Sequence, residues 1–392
     1  MPNYFRGISR NKAAACIFNC RYGIAVILVL IAALRPYGVQ AQVLGGSSTF
    51  AFLEKPWNAH LAGIGGVNVS VLDRDPNMFL SNPALLNKDM STQLSVNINP
   101  WFAGTANSAV TYAHHINNIG TFGGGINWTN YGTIRSYDPS GNYTGDYTAG
   151  DYAITAGYSR QKGPFSLGLN LKFIGSAIEN YSANAFSSDL GALFKHPTRE
   201  FTVGLTVRNL GFAFNQYTSA YNSYVPLNVQ LGTSYKLEHM PLRFSLTLQH
   251  LERFDVSYLD GSIATSLDAN GSPVYPKKTV FDKIFRHFVF GGEFILGPGF
   301  KLMGGWSILP NREMKLTDLS AGAGLSIGTM IRIKAFEFAY SHAWYGPVGG
   351  SNYLTLTTNF GRIFGKKLVA TEPIPVNADP AINTQPAPVP AQ

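Results

Sequence analysis

Gly163–Phe173 reads GPFSLGLNLKF, and it alternates without a fault. Phe165, Leu167, Leu169, Leu171 and Phe173 fall on one parity; Ser166, Gly168, Asn170 and Lys172 fall on the other. Successive side chains of a β-strand point to opposite faces, so this stretch is one strand with an apolar face and a polar face. What the apolar face touches decides the fold. It is either the core of a soluble sandwich or lipid.

The same period recurs along the chain. Leu94, Val96 and Ile98 alternate with Ser95, Asn97 and Asn99, and Leu242, Phe244, Leu246 and Leu248 alternate with Arg243, Ser245, Thr247 and Gln249. Leu319 to Ile327 continues the pattern against Ser320 to Gly328. Repeated two-residue periodicity predicts about fourteen strands between Met90 and Phe360. A strand of about eleven residues tilted by ~40° rises ~28 Å, enough for the ~25 Å apolar band of an outer-membrane barrel.

Connection lengths and composition point the same way. Every second connection is short, among them Ile116 to Ile119, Gln161 to Gly163 and Thr329-Met330, whereas Ser136 to Gly150, Asn215 to Val225 and Arg253 to Arg286 read as long loops. Short turns on one side and long loops on the other mark an outer-membrane barrel. Charged residues make up only 13% of the 392, about half the ~25% of soluble domains and too few to cover a sandwich. The fold predicted is all-β: a transmembrane outer-membrane β-barrel of about fourteen antiparallel strands over residues 90–364. On this reading a charge at Leu167 or Leu169 meets lipid, and a charge at Asn170 meets a polar lumen and is better tolerated.

The ends read differently. Arg6, Arg10, Lys12 and Arg21 precede the apolar run Gly23 to Leu34, and Val39-Gln40-Ala41 has the small residues of a cleavage site. Residues 1–41 therefore read as a signal peptide, cut before Gln42. Both cysteines, Cys16 and Cys20, leave with it, which excludes disulfides and cysteine chemistry in the remainder. Taking five basic residues from the net charge of +8 leaves +3, so the basic balance does not argue for nucleic acid as a partner. Residues 365–392, with PIPVNADPAINTQPAPVP, read as a proline-rich flexible periplasmic tail.

No catalytic constellation emerges. Ser159-Arg160-Gln161-Lys162 matches S-x-x-K but sits at a strand turn and lacks partner motifs. The histidines show no ligand spacing, and no phosphate-binding loop is present, so no cofactor or metal is expected and the chain reads as non-enzymatic. Glu293, Lys172, Arg208 and Lys236 lie on polar parities. They read as a solvated or ion-paired lumen, or as residues holding an internal segment.

Residues 42–89, ahead of the first strand, carry the distinctive motifs. These are Phe50, Phe52 and Pro56 in F-x-F-L-x-x-P, Gly65-Gly66, Asp73 and Asp75 in D-R-D, and Asn82-Pro83 in N-P-A-L-L. With Ile284 to Phe294 (IFRHFVFGGEF), this segment resembles the PorQ family of the type IX secretion system in Bacteroidetes, which is FadL/PorV-like in fold. Asn58-Ala59-His60 departs from it, Ser-Ala-Arg being the family's pattern there. The resemblance implies fourteen strands and a luminal hatch formed by residues 42–89. It also implies a role as a non-enzymatic component of the cell-surface attachment complex with PorU, PorV and PorZ, which processes cargo and joins it to lipopolysaccharide. The alternative is a FadL-type transporter of hydrophobic compounds. Both readings make outer-membrane lipid a partner. The long loop Arg253 to Arg286 is the expected docking surface, with Phe254, Tyr258, Tyr275, Phe281, Ile284 and Phe285 as anchors.

Overall fold

The computed structural model describes residues 49–218, 224–257, 266–267, 273–274, 279–314, 322–346 and 349–363, all within the compact unit Leu44–Gln392. The signal peptide and the proline-rich tail read from the sequence lie outside the described residues.

Fourteen antiparallel strands among the described residues close into one barrel. They are β1 (Gln93–Pro100), β2 (Ala106–Ile116), β3 (Gly120–Tyr137), β4 (Tyr143–Lys162), β5 (Phe165–Ile178), β6 (Tyr181–Lys195) and β7 (Phe201–Asn215). The ring continues with β8 (Asn228–Lys236), β9 (Leu242–Leu248), β10 (Phe288–Ile295), β11 (Phe300–Ser307), β12 (Leu325–Ile333), β13 (Phe336–Gly346) and β14 (Gly349–Asn359). Neighbours in sequence pair throughout, and β1 pairs with β14 from Gln93↔Asn359 to Ile98↔Leu354. Closure removes both sheet edges, which a lipid-facing sheet requires.

The opening stretch is β5, and its apolar parity faces outward. Leu167 is 65% exposed and Leu171 58%, while Ser166, Asn170 and Lys172 are buried. Ile126, Leu205, Phe244, Phe290 and Ile327 repeat this on other strands. A continuous exposed apolar belt is what a lipid-facing wall presents and a soluble surface avoids. Aromatic rings border it. Phe165 meets Phe194 at 5.3 Å near the short-turn end, and Phe173, Phe186 and Phe214 cluster at 5.1–6.3 Å higher up. Eight residues separate Phe165 from Phe173, a rise of ~20 Å at ~40° tilt, close to the separation of two interfacial girdles.

The connection before β12 includes Gly322 to Gly324, which the sequence reading placed in a strand, and two further connections differ from that reading. Ser136 to Gly150 is a tall hairpin, because β3 runs to Tyr137 and β4 starts at Tyr143. Asp138 makes the turn, accepting hydrogen bonds from the Ser140 and Asn142 amides at 2.9 and 2.8 Å, and Tyr137 packs on Tyr143 at 6.0 Å. Thr329-Met330 is inside β12, not a turn; Met330 pairs with Ala339 and buries its side chain inward. The true turn is 334–335, where Lys334 has φ 55°. Both shifts arise because the alternation carries on past the polar residues that looked like breakers. The end that carries 117–119, 163–164, 196–200, 237–241, 296–299 and 334–335 keeps only short turns. The opposite end carries the longer connections 216–227, 249–287 and 308–324.

The tolerance expected at Asn170 also changes. Its side chain is fully buried and donates to the Phe79 carbonyl at 2.9 Å and to Asp189 at 3.0 Å. An arginine there has no solvated lumen to enter. Leu167→Arg should therefore destabilise the barrel by ~2–4 kcal/mol in lipid, and Asn170→Arg should be costly as well, through lost luminal packing. Refolding equilibria of the two variants in lipid vesicles measure both, and a near-neutral Asn170→Arg would contradict the filled lumen.

Candidate functional site

Residues 50–86 run inside the ring, where they touch the inward faces of strands on all sides, and Lys88 and Asp89 are exposed as the chain leaves it. At the end with the longer connections, the Leu53 carbonyl accepts from Arg208 at 3.1 Å, and Glu54 lies 3.9 Å from His250. The Lys55 ammonium sits over the rings of Trp101 and Tyr131, 5.3 and 5.9 Å from their centroids. The short helix Ala59–Gly63 then lies against the other wall. Its Ala59 amide donates to Thr355 at 2.9 Å and its Gly63 carbonyl accepts from Ser326 at 3.2 Å. The chain passes Ser234 and Thr202 at Ser70, and returns across β1 to β6 before entering β1.

Each sequence motif has a physical reason at this site. Phe50 and Phe52 are buried in an apolar cluster with Leu53, Trp57, Phe79 and Leu80, and Phe52 meets Trp57 edge-on at 6.1 Å; Pro56 is half-buried. Gly65 and Gly66 have φ of 100° and 84°, a conformation glycine adopts at little cost. Asp75 and Asn82 cap short 3₁₀ turns that begin with Pro76 and Pro83, accepting from the Asn77 and Ala84 amides at 2.9 and 3.0 Å. Asn82 also donates to the Val69 carbonyl at 2.8 Å. Wall and segment meet at backbone distance: a Cβ placed on Gly168 would lie 2.3 Å from the Pro83 carbonyl carbon.

Asp73 and Asp75 anchor the segment electrostatically near the short-turn end. The His60 Nδ1 lies 3.2 Å from Asp75 and Nε2 lies 3.0 Å from Glu293. Carboxylates only accept, so both bonds form when the ring carries two protons. Arg243 bonds both Glu293 and Asp73, and Lys301 bonds Asp73. Three acids thus face three cations, from the segment and from β9, β10 and β11. Burial works against a charged imidazole, but the bonds to Asp75 and Glu293 outweigh it and raise His60 to about 9. Burial would raise Asp73, yet Lys301 and Arg243 hold its carboxyl well below the usual range. His60, Asp73 and Glu293 present ligand atoms within 4.8 Å of one another, a spacing a metal ion could use. Arg243 and Lys301 already supply the positive charge there.

Sequence reasoning placed Glu293 and Arg208 on the inward faces, and both hold the internal segment. Lys172 instead pairs with Asp189 across the wall at 2.7 Å. His60 was missed, because it departs from the family pattern, although it too is basic; Arg243 and Lys301 became meaningful only through the register. Asn77 was also missed: it accepts from Asn97 and Thr111 and donates to Ser95, all at 2.7–2.8 Å. Of the residues expected from the sequence to dock a partner, Phe254, Phe281, Ile284 and Phe285 are exposed; Tyr258 and Tyr275 lie outside the described residues. Ser159 faces inward and bonds Ser166 at 2.9 Å, whereas Lys162 is exposed at the turn. A cavity of about 10 Å³ remains among Leu53, Trp57, Leu80, Lys172 and Arg208, room for roughly one water.

Fold and site together define a transmembrane barrel with a filled lumen. No protein-family model matches the chain, and no curated protein does. Among solved structures it is similar to the Pseudomonas putida toluene transporter TodX, with a TM-score of 0.45 at 10% identity, covering 77% of this chain and 96% of that one. It is also similar to a Pseudomonas aeruginosa FadL homologue, with a TM-score of 0.42 at 14% identity, covering 78% and 98%.

Two outcomes test the site. Gly168→Val should dislodge residues 82–84 from the wall, whereas Gly124→Val, which faces open space, should not. Limited proteolysis of the folded barrels, scored for cuts between Gly65 and Asn87, separates them. His60 has a raised pKa in the folded state, so its contribution is fully present below about pH 6.5 and is lost as pH rises through about 9. Hydrogen-exchange protection of residues 58–75, taken relative to the intrinsic exchange rate at each pH, should fall across that window, and His60→Gln should flatten the dependence.

Proposed function

We propose that the chain is an outer-membrane transport barrel, FadL-like in plan, that passes small hydrophobic compounds when its luminal segment shifts. The observation that carries this reading is the division of labour inside the ring. The inward faces are built from Gly, Ser, Thr and Asn, which leave a wide bore. A segment continuous with β1, and otherwise held non-covalently, fills that bore. A ring of fourteen strands is too wide for its own side chains to fill. Here the filling is concentrated in a piece held by hydrogen bonds and ion pairs, which can rearrange without breaking the wall. Apolar clusters line the segment on both sides, one around Phe52, Trp57 and Phe79 and one around Ile64, Met78 and Leu85. Small apolar solutes would meet compatible surface along the path. Short turns on one side and longer connections on the other support an outer-membrane location with the longer connections outside.

A second reading rests on the PorQ resemblance and on the tightness of the filling. In it the barrel is a permanently plugged anchor for the type IX attachment complex, with partners of the PorU, PorV and PorZ kind. The cavity of about 10 Å³ among Leu53, Trp57 and Leu80 supports it, since that space takes nothing larger than a water.

One lock separates the two. A Cβ at Gly63 lies 3.2 Å from the Met303 Cβ, near disulfide reach. Gly63→Cys with Met303→Cys, in a background with Cys16 and Cys20 changed to serine, should tie the segment to β11. Cells carrying the reduced variant should take up an apolar aromatic compound faster than cells lacking the protein. Oxidation should abolish that gain, and reductant should restore it. Uptake indifferent to the lock would sink the transport reading, and co-purification of PorU-, PorV- and PorZ-like proteins with the locked barrel would support the anchor.

A further inference from the structure

The helix Val280–Phe285 ends the longest connection and leads into β10. Val280, Phe281, Ile284 and Phe285 follow the i, i+1, i+4, i+5 spacing of one helix face. All four are exposed, Phe281 by 75%. The other face is tied to the protein. Asp282 accepts from Arg286 at 2.9 Å and lies 3.5 Å from Arg312; Lys283 pairs with Asp255 at 2.6 Å; Arg286 reaches Glu313 at 3.5 Å. The helix is therefore fixed with its polar side inward and its apolar side out.

What covers that apolar side follows from what it continues. Phe285 packs on Phe288 at 5.6 Å, Phe288 stacks on Phe290 at 6.1 Å, and Phe290 stacks on Trp306 at 6.0 Å. Phe290 and Trp306 belong to the outward, lipid-facing parity of β10 and β11. One unbroken file of rings runs from the lipid belt up to the helix. The wall is also low here. β9 has seven residues and β10 eight, against eighteen and twenty in β3 and β4. Seven to eight tilted residues rise only ~18–20 Å, short of the ~25 Å apolar band. A helix about 10 Å across, laid on the rim, makes up the difference.

We propose that Val280–Phe285 is an interfacial helix seated in the outer leaflet, with Phe281, Ile284 and Phe285 among the acyl chains and Arg312 at headgroup level. It completes the apolar belt where the strands are too short. Of the side chains expected to anchor a protein partner, Phe281, Ile284 and Phe285 are then lipid contacts, and a partner would bind elsewhere.

A depth-quenching experiment tests this on the full chain with Cys16 and Cys20 changed to serine. Single cysteines at Phe281, Ile284, Leu169 (belt) and Ser140 (tip of the tall hairpin) are labelled with a small fluorophore. The proteins are then placed in phosphatidylcholine vesicles brominated along the acyl chains. A heat-dependent gel shift confirms that each variant is folded. Labels at positions 281 and 284 should be quenched at least half as strongly as the label at 169, and the label at 140 should be unaffected. Labels at 281 and 284 that behave like the one at 140 would overturn the proposal. So would shielding that appears only when a co-purified protein is present.

Discussion

The width of the ring is the constraint on which the rest depends. Fourteen strands enclose more space than inward side chains can fill, and these inward side chains are small. Without the segment that space would fill with water, as it does in wide polar barrels, and the apolar clusters around Phe52 and Ile64 would have nowhere to be buried. The forty-odd residues ahead of β1 supply the missing core. Several wall positions are fitted to them: Gly168 makes room for Pro83, Thr355 and Ser341 hold Ala59, and Asn97 and Thr111 hold Asn77. The hydrophobic core here is thus asymmetric. One partner is a closed sheet whose apolar side is turned to lipid, and the other is an irregular segment that brings its own phenylalanines inside.

Electrostatics then selects where that segment is held. Ionised groups inside a low-dielectric lumen are costly unless balanced, and the His60 cluster balances Asp73, Asp75 and Glu293 against Arg243, Lys301 and the imidazolium. Because those charges come from both the segment and β9 to β11, the balance exists only when the segment is home. The apolar contacts fill volume with little directional demand. The charged contacts specify one position among the many that apolar packing alone would permit.

Much of the barrel was legible in the sequence because alternation survives the absence of any partner. Leu167 and Asn170 announce their faces by parity alone. The limits are equally physical. Polar residues at Ser136 to Gly150 looked like a loop because tall strands beyond the lipid need no apolar face, so the signal that marks a strand fades where the membrane ends. Thr329-Met330 was read as a short turn, yet the alternation carries on through it and Lys334 bears the left-handed backbone. The site was half legible. Capping residues such as Asp75 and Asn82 show themselves through the prolines that follow. His60, Arg243 and Lys301 stand 58 to 241 positions apart, so only the strand register brings them together.

The chain order of this architecture has a kinetic consequence. The segment precedes every strand, but Ala59 meets Thr355 across 296 positions and His60 meets Glu293 across 233. Contacts so distant in sequence make for slow folding, since each must close a very long loop. The seam between β1 and β14 is the last pairing the chain order allows, and the segment attaches directly to β1. Once that seam is zipped, the wall has no gap wide enough to admit forty folded residues sideways. Laid in while the sheet is still open, the segment ahead of β1 serves as the mandrel around which the remainder is wound.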